Sequence, residues 1–244
     1  AIGYSSTVNV YFGLGDGTFT NSGQSLLAGV GANSVEAFDV DKDGDVDLLT
    51  GGPFLIKMLY INDGSGAFAY SGDGTFPITI YSTKKLKAID LDNDGDFDVC
   101  ELTPSTVYLW RNNGAGTFST WASFNISGGS AEDIAFGDVD KDGDQDLVIG
   151  TDGSGAFVYK NNGSGAFTDS GQVLGAGNST TLALCDYDND GDLDLVKGAS
   201  AASELWLNDG SGNYSQMALS LSPGSAATLW GDVDQDGDND LVLV

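Results

Sequence analysis

A chain of 244 residues with 36 glycines, four prolines and 41% apolar residues has the apolar mass for a continuous core and the glycine content for many tight turns. Its formal net charge of -27, the absence of histidine and the presence of two cysteines exclude a basic nucleic-acid footprint, histidine-based acid–base chemistry, histidine-containing zinc sites and a disulfide framework. No apolar run approaches the ~18–20 residues of a membrane-spanning helix, so no membrane insertion is expected.

In chain order, YFGLGDGTF at 11–19 reads as the end of one strand, a glycine turn and the start of another. Val35 and Ala37 then begin an alternation of period two, the mark of a half-buried strand. That strand runs into DVDKDGDVD at 39–47, and the apolar run DLLTG continues as a second strand in hairpin with the first. A third strand leads into YINDGSGAF at 60–68, whose Asn-Asp-Gly turn tolerates the positive φ of a tight hairpin, and a fourth begins at Phe68. The same order returns three times, with WRNNGAGTF at 110–118, YKNNGSGAF at 159–167 and WLNDGSGNY at 206–214. Leu86, Ile134 and Leu182 align with Val35, and Ala88, Phe136, Leu184 and Trp230 with Ala37. Every third strand carries an aromatic (Tyr11, Tyr60, Trp110, Tyr159, Trp206); Trp110 and Trp206, sharing that repeat position, read as core or inter-blade packing, and so does Trp230 on its apolar strand position. Cys100 and Cys185 stand in strand interiors and are expected to be buried, inert thiols.

The acidic loops begin at Asp39, Asp90, Asp138, Asp186 and Asp232, at spacings of 51, 48, 48 and 46 residues. A repeat of four antiparallel strands at this period is a propeller blade; a parallel β-helix has a shorter repeat and needs no hairpin turns. The expected fold is all-β, a five-bladed β-propeller of four-stranded antiparallel blades forming a single domain, 1–244. Its loop-to-loop repeats run 39–89, 90–137, 138–185, 186–231, and 232–244 plus 1–38. From Asp232 to the end and round to Asp39 is 51 residues, so the N- and C-terminal half-repeats are expected to share one blade and close the ring.

The five D-x-D-x-D-G-D-x-D loops hold 25 of the 36 acidic residues, so the charge is local and outside the loops the chain is nearly neutral. Calcium takes six to eight hard oxygens, and alternating carboxylates on a curled loop converge to supply them; magnesium's octahedral shell usually keeps several waters. In the first loop Asp39, Asp41 and Asp43 are expected to offer side-chain oxygens, Gly44 to permit the turn, Asp45 to offer its carbonyl and Asp47 to close the site. The same roles fall to Asp90, Asp92, Asp94, Asp96 and Asp98, and to Asp138, Asp140, Asp142, Asp144 and Asp146. They fall again to Asp186, Asp188, Asp190, Asp192 and Asp194, and to Asp232, Asp234, Asp236, Asp238 and Asp240. Five calcium ions, one per repeat, are expected. The side chain at position seven points either to water or to a donor outside the site.

The pairing of FGDVDKDGDQDLVIG with YKNNGSGAF resembles the FG-GAP/VCBS repeats of integrin α-subunit propellers and of calcium-binding propeller lectins of fungi and bacteria. The resemblance covers all five repeats. It implies a calcium loop between the two innermost strands of a blade, and adhesion or recognition of sugars such as N-acetylglucosamine between blades. Such relatives usually have seven blades.

A calcium-stabilised, extracellular binding module is therefore expected, with a glycan or a protein surface as its ligand and no catalytic residues. A structural role within a larger surface protein or filament is the alternative. A polysaccharide-active enzyme needs two carboxylates ~5–9.5 Å apart; Glu36, Glu101, Glu132, Asp133 and Glu204 lie outside the loops and no two share a repeat position. Trp121 and Tyr70 do not repeat between blades and are candidate sugar contacts or ordinary packing. STKKLK at 82–87 reads as a solvated strand face, and Asn125, Asn162, Asn178 and Asn213 stand in N-x-S/T sequons.

Overall fold

Each acidic loop connects two strands of a hairpin: the residue before position one ends a strand and position nine begins the next. The computed structural model describes residues 7–26, 31–53, 57–72, 76, 82–126, 128–219, 221 and 228–243. Residues 1–6 and 244, the extremities of the two half-repeats, lie outside that set. The described residues form twenty strands, and none of their helices is long and apolar enough to cross a membrane.

The chain divides into two units, residues 1–89, 95–103 and 108–121 in the first and 90–94, 104–107 and 122–244 in the second. The first unit contains the pair β1 (Val8–Gly13) and β2 (Phe19–Leu26). It also contains a sheet of β3 (Ser34–Phe38), β4 (Asp47–Gly51), β5 (Lys57–Asn62) and β6 (Phe68–Tyr70), hydrogen-bonded in that order. A further four-stranded sheet, assigned wholly to neither unit, is made of β7 (Lys85–Ile89), β8 (Asp98–Leu102), β9 (Thr106–Asn112) and β10 (Phe118–Asn125).

The second unit holds β11 (Ser130–Gly137), β12 (Asp146–Asp152), β13 (Gly155–Lys160) and β14 (Thr168–Leu174) in one sheet. Its next sheet is β15 (Thr181–Cys185), β16 (Asp194–Gly198), β17 (Glu204–Asn208) and β18 (Tyr214–Met217), and the last pair is β19 (Thr228–Gly231) with β20 (Asp240–Leu243). All these pairings are between sequence neighbours, the meander expected of four-stranded blades. Phe38 pairs with Asp47, Ile89 with Asp98, Gly137 with Asp146, Cys185 with Asp194 and Gly231 with Asp240, so every loop spans the same register.

Period-two alternation buries one side of each strand. In the first unit Phe38, Leu49, Leu59, Leu86, Val99, Trp110 and Phe118 share a core; in the second, Val139, Val148, Val158, Leu182, Leu195 and Trp206 do. The third-strand aromatics Tyr60, Trp110, Tyr159 and Trp206 are buried, as expected of the two tryptophans.

Cys185 departs from its expected burial, and Tyr11 differs from its counterparts. Tyr11, at the same repeat position, is 56% exposed; among the described residues β1 pairs with β2 alone. Cys185 is only half-buried at the mouth of its loop, whereas Cys100 is fully buried and burial pushes its thiol pKa far up. Among the described residues each half-repeat forms a two-stranded sheet, β1 with β2 and β19 with β20.

Candidate metal centres

The loop geometry is dictated by carboxylates accepting backbone N–H groups. At position one, Asp39 accepts from Asp43 N–H at 3.2 Å and from Gly44 N–H at 3.0 Å, which curls the loop around it. Asp138, Asp186 and Asp232 receive the same pair of bonds. At position five, Asp43, Asp142, Asp190 and Asp236 each accept the N–H of position seven. The glycine at position six has φ between +84° and +98° in all five loops, the left-handed region that favours this residue.

Position nine staples the two ends of the hairpin. Asp47 Oδ2 accepts Val40 N–H at 2.9 Å, and its Oδ1 accepts Asn62 N–H from the third-strand turn at 2.8 Å. Asp146 does the same with Val139 and Asn161, and Asp194 with Tyr187 and Asn208. The turn asparagines also reach back one repeat. Asn112 Nδ2 donates to Val40 O at 2.8 Å, Asn161 to Leu91 O at 2.9 Å and Asn208 to Val139 O at 2.7 Å. The sequence explained these asparagines only as residues tolerant of turn φ; their second task depends on a partner about seventy residues away.

Within this frame carboxylate oxygens converge to within 4.8 Å of one another in every loop: Asp39, Asp41 and Asp43; Asp90, Asp92 and Asp94; Asp138, Asp140 and Asp146; Asp186, Asp188 and Asp194; Asp232, Asp234 and Asp240. Positions one and three join in all five, and position five or nine completes the group. Oδ1 of Asp41 and Oδ1 of Asp140 are buried and accept no hydrogen bond. Buried, unpartnered anionic oxygens facing other carboxylates are costly alone and fit a hard cation. Burial pushes the Asp146 carboxyl up to about 6, opposed by the N–H groups of Asn161 and Val139 and reinforced by Asp140 and Asp142. Asp47 and Asp194 are raised for the same first reason.

Position seven stands apart. Its side chain lies against the first glycine of its own repeat's turn: a Cβ at Gly64, Gly114, Gly163 or Gly210 would fall within 2.6–2.8 Å of an Asp45, Asp96, Asp144 or Asp192 oxygen. It also meets the position-four residue of the preceding loop. Lys42 forms an ion pair with Asp96 and Lys141 with Asp192. Asn93 Nδ2 donates to Asp144 at 2.8 Å, and Asn189 Nδ2 to Asp238 at 2.9 Å. Of the two directions open to it in the sequence, the structure selects a donor outside the site. The position-four residues were missed; their signal was a lysine, asparagine or glutamine at that place in every loop.

Outside the loops the acids are engaged separately. Glu101 Oε2 lies 2.9 Å from Lys57 Nζ with both side chains buried, while Trp110 Nε1 donates to it at 3.2 Å and Thr83 Oγ1 to its Oε1 at 2.7 Å. Lys197 Nζ lies 3.3 Å from Glu204, which also accepts from Trp206. Lys87, within the basic stretch, pairs with Glu36 at 3.4 Å, and Asp133 accepts Leu182 N–H from the neighbouring inner strand. Trp121 is half-buried under the Arg111 guanidinium, 5.3 Å from its ring, and Tyr70 is 40% exposed beside Tyr60.

The chain matches no curated protein sequence. Among solved structures it is similar to an Agrocybe aegerita lectin described for specific recognition of non-reducing terminal N-acetylglucosamine, with TM-score 0.66 and 19% identity over 97% of this chain and 68% of that one. BBS1N, solved in complex with ARL6DN, gives TM-score 0.60 and 10% identity over 90% of this chain and 64% of that chain. The V. cholerae biofilm matrix protein Bap1 gives 0.50 and 16% over 86% of this chain and only 34% of its own. Residues 1–50, 90–149, 138–197 and 186–243 each match the FG-GAP-like repeat, and the chain belongs to that family of β-propeller repeats.

Proposed function

We infer that the chain is a calcium-stabilised, extracellular, lectin-like module that binds carbohydrate. The observation that carries this reading is its likeness, over 97% of its length, to a lectin that recognises N-acetylglucosamine. The carboxylate groups of the five loops support calcium as the stabilising ion. Positions one and three of each loop would hold it, joined by Asp43 and Asp94 at position five in the first two loops and by Asp146, Asp194 and Asp240 at position nine in the others. Bound calcium neutralises the mutual repulsion of these groups and leaves the hairpin rigid. Because each loop supplies its own oxygens, the ion serves the fold and the ligand lies elsewhere. No catalytic step belongs to this reading. Five blades, with the half-repeats β1–β2 and β19–β20 completing one another, are part of the proposal.

A glycan array probed with the calcium-loaded chain is the test. Binding of terminal N-acetylglucosamine or another defined sugar supports the reading, and an array blank in calcium would sink it. The second reading, adhesion to a protein surface or assembly in a matrix, draws on the likeness to Bap1 and to BBS1N, which was solved with a protein partner. A blank array combined with calcium-dependent self-association in size-exclusion chromatography favours it.

A further inference from the structure

Position four is the one place in the loops where a non-glycine residue adopts a left-handed backbone. Lys42, Asn93, Lys141, Asn189 and Gln235 all have φ between +57° and +63°. Asparagine tolerates this region; lysine and glutamine rarely enter it. The observed strain is a property of the backbone in every copy, so it points to a use for the side chain rather than to a local accident. In four copies that side chain leaves its own loop and holds the position-seven carboxylate of the next.

The contact continues into the next candidate site. Position seven donates its own N–H to the position-five carboxylate, as Asp144 does to Asp142 at 3.0 Å. Asp142 in turn donates its N–H to Asp138 at 3.1 Å, so Asn93 reaches, through Asp144 and Asp142, a member of the third loop's convergent group. A cation that drew the carboxylates of one loop together would fix the turn that carries position four and so hold its side chain toward the next loop.

We propose that the loops bind cations as a linked series, in which Lys42, Asn93, Lys141 and Asn189 couple each site to the next. Occupancy of one loop raises the affinity of the following one, and by linkage the following one raises the affinity of the first. This rests on the calcium reading above and adds to it that the sites are not independent. The two lysine links are ion pairs with half-exposed lysines, so they weaken with salt, whereas the two asparagine links do not.

The test is calorimetric titration of the metal-free full chain with calcium chloride. It is repeated on a variant combining Lys42→Gly, Asn93→Gly, Lys141→Gly and Asn189→Gly. Glycine keeps the left-handed turn and removes only the reaching side chain. The parent is expected to titrate more steeply than independent sites, with a Hill coefficient above one. The variant should bind the same total calcium in a shallower curve, each severed link weakening the next site roughly two- to five-fold. A parent that fits independent sites, or a variant superimposable on it, overturns the coupling and leaves calcium binding intact. Absence of both binding heat and a melting shift in the parent overturns the calcium reading and the coupling with it. Asn93→Gly alone covers the case of an unfolded combined variant: it should flatten the parent curve, and an unchanged curve overturns the link to Asp144.

Discussion

Asn93 Nδ2 donates to Asp144 Oδ1 at 2.8 Å across 51 residues of sequence, so the second acidic loop holds the third by an uncharged arm. Replacing that arm by a charge should be felt at once. Asn93→Asp sets two carboxylates against each other and is expected to lower the melting temperature of the metal-free chain, at a cost of about 1 kcal/mol. Thermal unfolding followed by circular dichroism checks it, with Asn93→Gly as the neutral comparison.

Gly114 has φ +72°, and a Cβ there would stand 2.6 Å from an Asp96 oxygen. Gly15 has φ +78° with nothing within 4 Å. Both alanine substitutions carry the left-handed penalty of about 1 kcal/mol, and Gly114→Ala adds displacement of the Asp96 carboxylate from Lys42. Chemical denaturation should show Gly114→Ala the more destabilised by at least about 1 kcal/mol; equal losses would mean that position seven is not confined.

Lys57 and Glu101 lie 2.9 Å apart with side chains 1% and 0% exposed, and the lysine ammonium sits 4.9 Å from the Trp110 ring centroid. Lys57→Met removes the ammonium 2.9 Å from a buried carboxylate and should cost about 3–5 kcal/mol. Adding Glu101→Gln removes the carboxylate charge while keeping acceptors for Trp110 and Thr83, so the double variant should recover part of the loss. Urea midpoints of the three proteins decide it.

The Asp146 carboxyl is raised to about 6 in the folded chain against an ordinary 3.8, so its ionised form is disfavoured by folding. Protonation therefore favours the folded state. The metal-free chain is expected to gain stability from this group as the pH falls from 7 through 6, the gain being complete near 4. With calcium present the slope should reverse, because protons and the ion compete for the same oxygens. Melting temperatures at pH 7 and pH 5, with and without calcium, give the sign.

Calcium removal is the most direct test of the loops. Chelation by EDTA should lower the melting temperature by several degrees and readdition restore it, since an ion that binds only the folded chain stabilises it by mass action. Melts that coincide would show that the carboxylates tolerate one another unaided.

The repeat, the strand order and the acidic groups were legible in the sequence because they are local. Alternation of period two makes a strand from five residues, Asn-Asp-Gly makes a turn from three, and positions one and three lie close enough in the chain to bring their carboxylates together. Reading Trp110 and Trp206 as packing residues needed only their recurrence at one repeat position. Trp121 was left between two readings because a residue that does not recur carries no positional information.

Tertiary structure decided the rest. Whether Asp96 faced water or a donor depended on Lys42, and Asp144 on Asn93, each partner about fifty residues distant. Glu101 read as a free acid on a strand until Lys57, Thr83 and Trp110 were brought around it in one dry cluster. Position nine read as a ligand, and folding gave its oxygens the further task of accepting N–H groups from the third-strand turn. By itself the sequence determined what each repeat is, because hydrophobic alternation and turn chemistry act over a few residues. Only the packing of one repeat on the next determined which side chains hold the repeats together, because hydrogen bonds and ion pairs between them depend on positions that no local pattern encodes.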